Sequence, residues 1–142
     1  MSRIYLASSW RNQQQPALVA YLRLQGHEVY DFRNPAPGEH GFQWSAIDED
    51  WKKWSADKFR ESLRHPIAQA GWKLDAAGME WADTCVLALP CGRSAHLEAG
   101  LMAGQGKRVV VFLGELTEPE LMYLSLGPEI CVSLTELKAV LS

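Results

Sequence analysis

The sequence predicts a single α/β domain built on a five-stranded, all-parallel sheet, doubly wound with helices on both faces. Three observations carry this. Thr84–Leu89 (TCVLAL) and Arg108–Leu113 (RVVVFL) are continuous apolar runs, as expected of central parallel strands buried on both faces. Helix-length segments end at Gly26 and Gly106, residues suited to helix C-terminal caps. Strand-like and helical segments alternate along the chain, the pattern that yields parallel sheets with crossover helices. The 142 residues give room for one domain, spanning 1–142, that buries about two thirds of its unfolded surface.

Taken in order, Ile4–Ala7 is a short apolar strand ended by Ser8-Ser9, and a helix is predicted from about Gln13 to Gln25. His27–Phe32 alternates as a second strand and is broken by Asn34-Pro35-Ala36-Pro37-Gly38. Residues 35 to 54 are the least regular part. Two helices follow, near Ala56–Arg64 and Ile67–Trp81, with Pro66 at their boundary because proline disfavours helix in the residue before it. Strand three is Thr84–Leu89, the next helix about Ser94–Gln105, and strand four Arg108–Leu113. A short helix over Glu118–Leu124, a short strand over Ile130–Ser133 and a last helix over Leu134–Leu141 complete the chain.

Composition excludes several classes of function. At 47% hydrophobic and 22% charged, with no apolar run near the roughly 20 residues of a membrane span, no membrane association is expected. The N-terminus lacks the pattern of a secretory signal, so a cytoplasmic location is expected. Cys85, Cys91 and Cys131 show no CxxC spacing and are expected as reduced thiols; His27, His40, His65 and His96 show no metal spacing, so no metal and no cofactor is expected. A net charge of −3 without a basic stripe argues against polymeric nucleic acid, though not against a small nucleotide.

In a doubly wound sheet, ligands bind beyond the carboxyl ends of the strands where strand order reverses. If strands one and three are neighbours, Ser8-Ser9-Trp10-Arg11-Asn12 and Pro90-Cys91-Gly92-Arg93-Ser94 face one crevice. The second loop opens into Ser94-Ala95-His96-Leu97-Glu98-Ala99-Gly100, which puts Glu98 one turn beyond Ser94 and on its face. By spacing alone Glu98 reads equally as a surface glutamate favoured by the helix dipole. Ser94 alone reads as an N-cap, Arg11 as a solvated loop residue and Tyr5 as core.

Together these segments resemble the nucleoside 2-deoxyribosyltransferase superfamily, and within it the 2′-deoxynucleoside 5′-monophosphate N-glycosidases. The resemblance runs from Ile4 to about Phe112, through Tyr5-Leu6-Ala7-Ser8-Ser9-Trp10-Arg11, then Asp75 through Trp81-Ala82-Asp83, then Gly92-Arg93-Ser94 with His96-Leu97-Glu98-Ala99-Gly100. It implies a flavodoxin-like (Rossmann-like) sheet, Glu98 as nucleophile, and Tyr5 as the tyrosine that orients it. It makes Asp75 the acid near the leaving base and Asp83 a structural or supporting member of the substrate-binding set. Ser9 and Arg11 match the serine and arginine that hold a 5′-phosphate, with Ser94 beside them. It also implies a nucleoside or nucleotide as small-molecule partner and a homodimer or higher homo-oligomer.

Two departures stand out. Classical transferases place an acid six residues before the nucleophile to bind the sugar 5′-hydroxyl, whereas here that position is Gly92; a neutral or basic rim suits a phosphate better. The Trp- and Pro-rich stretch Asn34–Trp54 has no counterpart. Its Trp44, Trp51 and Trp54, with Trp10, read either as packing anchors of a satellite core or dimer interface, or as a lid that stacks on a base. His96 is expected to be structural, and Cys91 to lack a base that would make it a nucleophile. The competing functions are a TIR-like NAD glycohydrolase and a non-catalytic nucleotide-binding module.

Overall fold

Strands form where the apolar runs stand. The computed structural model describes residues 1–114, 118–127 and 129–142, and contains β1 (Arg3–Ala7), β2 (Glu28–Tyr30), β3 (Thr84–Ala88), β4 (Arg108–Phe112) and β5 (Ile130–Cys131). All pair in parallel in the order β2-β1-β3-β4-β5. The helices are α1 (Gln15–Leu24), α2 (Ala56–Ser62), α3 (Pro66–Trp81), α4 (Arg93–Gly104) and α5 (Leu134–Leu141). Strand order reverses between β1 and β3, so the loops after these two strands flank the switch point of a flavodoxin-like sheet.

These residues gather into two compact units, one of Met1–Asp31 with Met79–Ser142 and one of Phe32–Gly78. In the first, the two-residue period of the strands sorts side chains to opposite faces. Ile4, Leu6, Val86, Ala88 and Val110 pack with Leu18 and Leu22 of α1 and Leu137 and Leu141 of α5. Tyr5, Ala7, Cys85, Leu87, Val109 and Val111 pack on the other face with Ala95, Ala99 and Met102 of α4. Every residue of β3 is buried, which is why its sequence shows no polar alternation. Both α1 and α4 end on glycines in the left-handed region, Gly26 at φ 92° and Gly106 at φ 79°, whose amides return to Arg23 O and Ala103 O.

Of the element boundaries that differ from the sequence-based expectation, three have a clear local reason. Helix α1 starts two residues late because Asn12 Oδ1 accepts the Gln14 amide at 3.0 Å, holding a turn that hands over to Pro16 in the first helical turn. Strand β5 stops at Cys131 because Ser133 is the N-cap of α5, its Oγ accepting the Glu136 amide at 3.1 Å. The short helix expected over Glu118–Leu124 is a 3-10 helix over Leu121–Leu126. Pro119 disfavours helix before it, and Glu120 caps the turn by accepting the Met122 amide at 2.9 Å.

The Phe32–Gly78 unit holds the irregular stretch, with 3-10 turns at Trp44–Ala46 and Trp51–Lys53 ahead of α2. Trp44 meets Phe42, Trp54 and Phe59 edge-on, at ring-centre distances of 4.7, 5.7 and 5.8 Å. Trp54 Nε1 donates to Asp48 Oδ2 at 2.7 Å; this bond, then the Asp50 amide, holds the Asp48 carboxyl below its usual pKa. Trp44 and Trp54, both half-buried, thus pack in an aromatic cluster within this unit. A Cβ on Gly71 of α3 would come within 2.9 Å of the Phe42 Cβ, so the glycine lets the loop lie directly on the helix.

Candidate active site

Helix α4 lays Ala95, Ala99 and Met102 on the sheet, and Glu98 shares that side at three- and four-residue spacing. Its carboxylate is half-buried, and Oε2 accepts a hydrogen bond from the Tyr5 hydroxyl. Tyr5 is 1% exposed in the middle of β1, with Tyr30 on β2 and Cys85 on β3 as its register partners. The Tyr30 ring stacks on the Tyr5 ring at 5.1 Å and 10°. Burial first, then the Glu98 carboxylate, pushes the Cys85 thiol up to about 12.

The loop after β1 is tied to the end of β3 by Ser8 and Asn12, crevice-loop residues to which the sequence-based reading gave no individual role. Ser8 Oγ donates to Ala88 O at 2.9 Å, and Asn12 Nδ2 donates to Ser8 Oγ at 3.0 Å; both residues are buried. Satisfying each other and the strand-end carbonyl, they fix the neighbouring loop residues. Arg11 therefore projects across to the start of α4. A Cβ on Gly92 would lie 2.9 Å from Arg11 Nη2, so the guanidinium rests against the glycine. Ser9 Oγ accepts the Arg11 amide at 3.1 Å and Nε at 3.5 Å. Among the described residues no ion pair engages Arg11.

Helix α4 begins at Arg93 with Gly92, not Ser94, as N-cap: Gly92 is extended, at φ −105° and ψ −151°, and no side chain caps the helix. Its first amides and the Arg11 guanidinium make a locally cationic rim one turn from Glu98. Ser94 is exposed on that first turn.

His96 does have Cys91 beside it, with Sγ 3.8 Å from Nδ1, so a base is present where none was expected. Its protons are committed elsewhere. Nδ1 lies 2.7 Å from Gly92 O, which only accepts, so Nδ1 carries the hydrogen; in the neutral ring Nε2 then accepts from the Tyr123 hydroxyl at 2.9 Å. The thiol itself is pushed up to about 11, chiefly by burial, with Arg11 pulling it down and Glu98 pushing it up. Cys91 is a protonated lining residue, and His96 a strut between α4 and the 121–126 turn.

One sequence-identified residue, Asp83, lies away from these loops. Asp83 precedes β3, about 17 Å of strand away from the loop that follows it. It accepts the Arg3 amide at 3.1 Å and the Thr84 hydroxyl at 2.8 Å, and its own amide donates to Arg3 O, so it joins the amino-terminal ends of β1 and β3. Burial works to raise its pKa, but these bonds, the Arg3 charge and the N-terminus outweigh it and hold the carboxyl below the ordinary value. A depressed folded-state pKa contributes stability above the unfolded value that is lost as pH falls through the folded one. Asp83→Asn is accordingly expected to flatten the loss of stability below about pH 4. Urea unfolding at several pH values checks this, and parallel curves for both proteins would remove the assignment. Asp75 belongs to the Phe32–Gly78 unit, where it lines a cavity of about 210 Å³ with Phe32, Phe42 and Gly71.

No family model and no curated protein sequence matches this chain. Solved structures do. A 2-deoxyribosyltransferase from Bacillus psychrosaccharolyticus superposes over 95% of this chain and 89% of its own, with a TM-score of 0.63 at 21% identity. A CMP N-glycosidase from Clostridium botulinum superposes over 97% of this chain and 96% of its own, with a TM-score of 0.53 at 16% identity. In strand order, in the helices flanking the sheet and in its extent, the chain shares the fold of these two proteins.

Proposed function

We propose that the protein breaks the base–sugar bond of a nucleoside or nucleoside 5′-monophosphate, by hydrolysis or by transfer to a second base, with Glu98 as nucleophile. The observation that supports this best is the hydrogen bond from Tyr5, a fully buried residue, to the carboxylate of Glu98. Breaking a C1′–N bond builds positive charge on the sugar and negative charge on the leaving base. A half-buried carboxylate held by a buried tyrosine hydroxyl suits attack on C1′, giving a glycosyl-enzyme ester that water or a second base then opens. The proton for the departing base is assigned to Asp75, on the sequence resemblance. Arg11, Ser9, Ser94 and the first amides of α4 form the phosphate grip, orienting C1′ through contacts remote from the bond.

Chromatography for free base after incubation with the common nucleoside 5′-monophosphates, their 2′-deoxy forms, bare nucleosides and NAD tests the proposal. Release from nucleosides or monophosphates is the expected result and names the substrate. Release from NAD alone would reassign the protein to the TIR-like glycohydrolases. No release from any of them would sink the catalytic reading in favour of a binding module.

A further inference from the structure

We propose that Tyr30 is a positioning residue for the nucleophile, acting through Tyr5: its stacked ring sets the plane of the Tyr5 phenol and so the direction of the hydroxyl that holds Glu98. The inference rests on the assignment of Glu98 above. Tyr5 and Tyr30 are register partners on adjacent parallel strands, so their side chains leave the same face side by side, and the rings lie 5.1 Å apart and 10° from parallel. On the other flank of Tyr5 the partner is Cys85, whose small side chain does not span the ring. Tyr30 is therefore the one flat wall among these register neighbours. A phenol pivots about its Cβ–Cγ bond, and χ2 of tyrosine is broad unless packing restricts it, so a planar neighbour is what fixes the ring plane.

The end of β2 is itself held with unusual care for a three-residue edge strand. Arg23 Nη2 donates to Val29 O at 3.0 Å on one side of Tyr30. On the other, Gln15 Nε2 donates to Asp31 Oδ1 at 2.8 Å, with Gln15 0% and Asp31 7% exposed. The Gln15–Asp31 bond pins the backbone just where the tyrosine departs, between two helix α1 side chains. Misdirecting the Tyr5 hydroxyl leaves substrate binding intact but lets the carboxylate leave its attacking rotamer, so the defect belongs in kcat and not in KM.

The test compares wild type with Tyr30→Phe and Tyr30→Leu, all checked for unchanged thermal unfolding. Tyr30→Phe keeps the flat ring and is expected to keep kcat within about twofold. Tyr30→Leu fills similar volume without a plane and is expected to lose kcat about ten- to a hundredfold at constant KM. A second readout needs no turnover. With 13C-labelled glutamate and Glu98→Gln to identify the resonance, the Glu98 carboxyl should titrate at higher pH in Tyr30→Leu than in wild type or Tyr30→Phe, because a misaligned donor stabilises the carboxylate less. If all three proteins titrate alike, or Tyr30→Phe loses activity as Tyr30→Leu does, the positioning role falls. If the titration shifts as expected while wild type cleaves nothing, the role stands and the proposed reaction is what fails.

Discussion

Replacing Glu98 by glutamine is expected to reduce base release by at least about a thousandfold, some 4 kcal/mol of transition-state stabilisation, with the fold unchanged. Glutamine is nearly the same size and keeps a carbonyl oxygen to accept the Tyr5 hydroxyl, so the packing of α4 through Ala95, Ala99 and Met102 is not asked to change. What is lost is the negative charge and the electron pair that would attack C1′. Amide oxygen is a weak nucleophile and does not stabilise an oxocarbenium ion as a carboxylate does. Single-turnover assays on the substrate found by the chromatographic screen, with thermal unfolding in parallel, measure this. Retention of more than a tenth of the activity would take Glu98 out of the reaction, and loss of folding would shift the argument to Glu98→Asp, which keeps the charge but withdraws it by one methylene.

The fold was legible because its strongest signals were physical necessities. Strands buried on both faces have no choice but to be apolar throughout, as Thr84–Ala88 is, and helices that end on left-handed residues favour glycine, as at Gly26 and Gly106. Among the displaced boundaries are three where a side chain competed with the main chain, at Asn12, Ser133 and Glu120. Of the candidate site, the sequence and the resemblance named Glu98 and Tyr5, which the structure brings into contact. Glu98 follows from a helix opening after strand three, and the Tyr5 hydrogen bond to it depends only on both residues facing one side of the sheet. Ser8, Asn12 and Tyr30 were not legible, because each works through a partner distant in sequence: Ala88 for Ser8, Leu89 for Asn12 and Tyr5 for Tyr30. A serine before a loop asparagine reads as generic turn chemistry until strand order places both beside the end of β3. Asp83, expected as a structural or supporting residue, stands at the amino-terminal edge of β3, where it binds Arg3 and Thr84.

Arg11→Ala is expected to remove the preference for 5′-monophosphates, lowering kcat/KM for them about ten- to a hundredfold while leaving bare nucleosides within about twofold. The estimate follows from one charge-assisted, potentially two-pronged contact to a phosphate. Arg11 is exposed, so salt will weaken the contact, and the difference between wild type and variant should shrink as ionic strength rises. Arg11→Lys should recover part of the preference, since it restores the charge but not the planar fork. Position 92 offers an independent check on the same geometry. Gly92→Ala would set a methyl 2.9 Å from Arg11 Nη2, and because the guanidinium is the far end of a flexible side chain it can move aside. The variant should therefore fold normally and lose phosphate preference in the same direction as Arg11→Ala, but less. Steady-state kinetics on matched nucleoside and monophosphate pairs decides the matter. Equal losses on both substrates in Arg11→Ala would show that the guanidinium serves the sugar or the loop, and a glycine variant that left selectivity untouched would separate the rim of α4 from phosphate recognition.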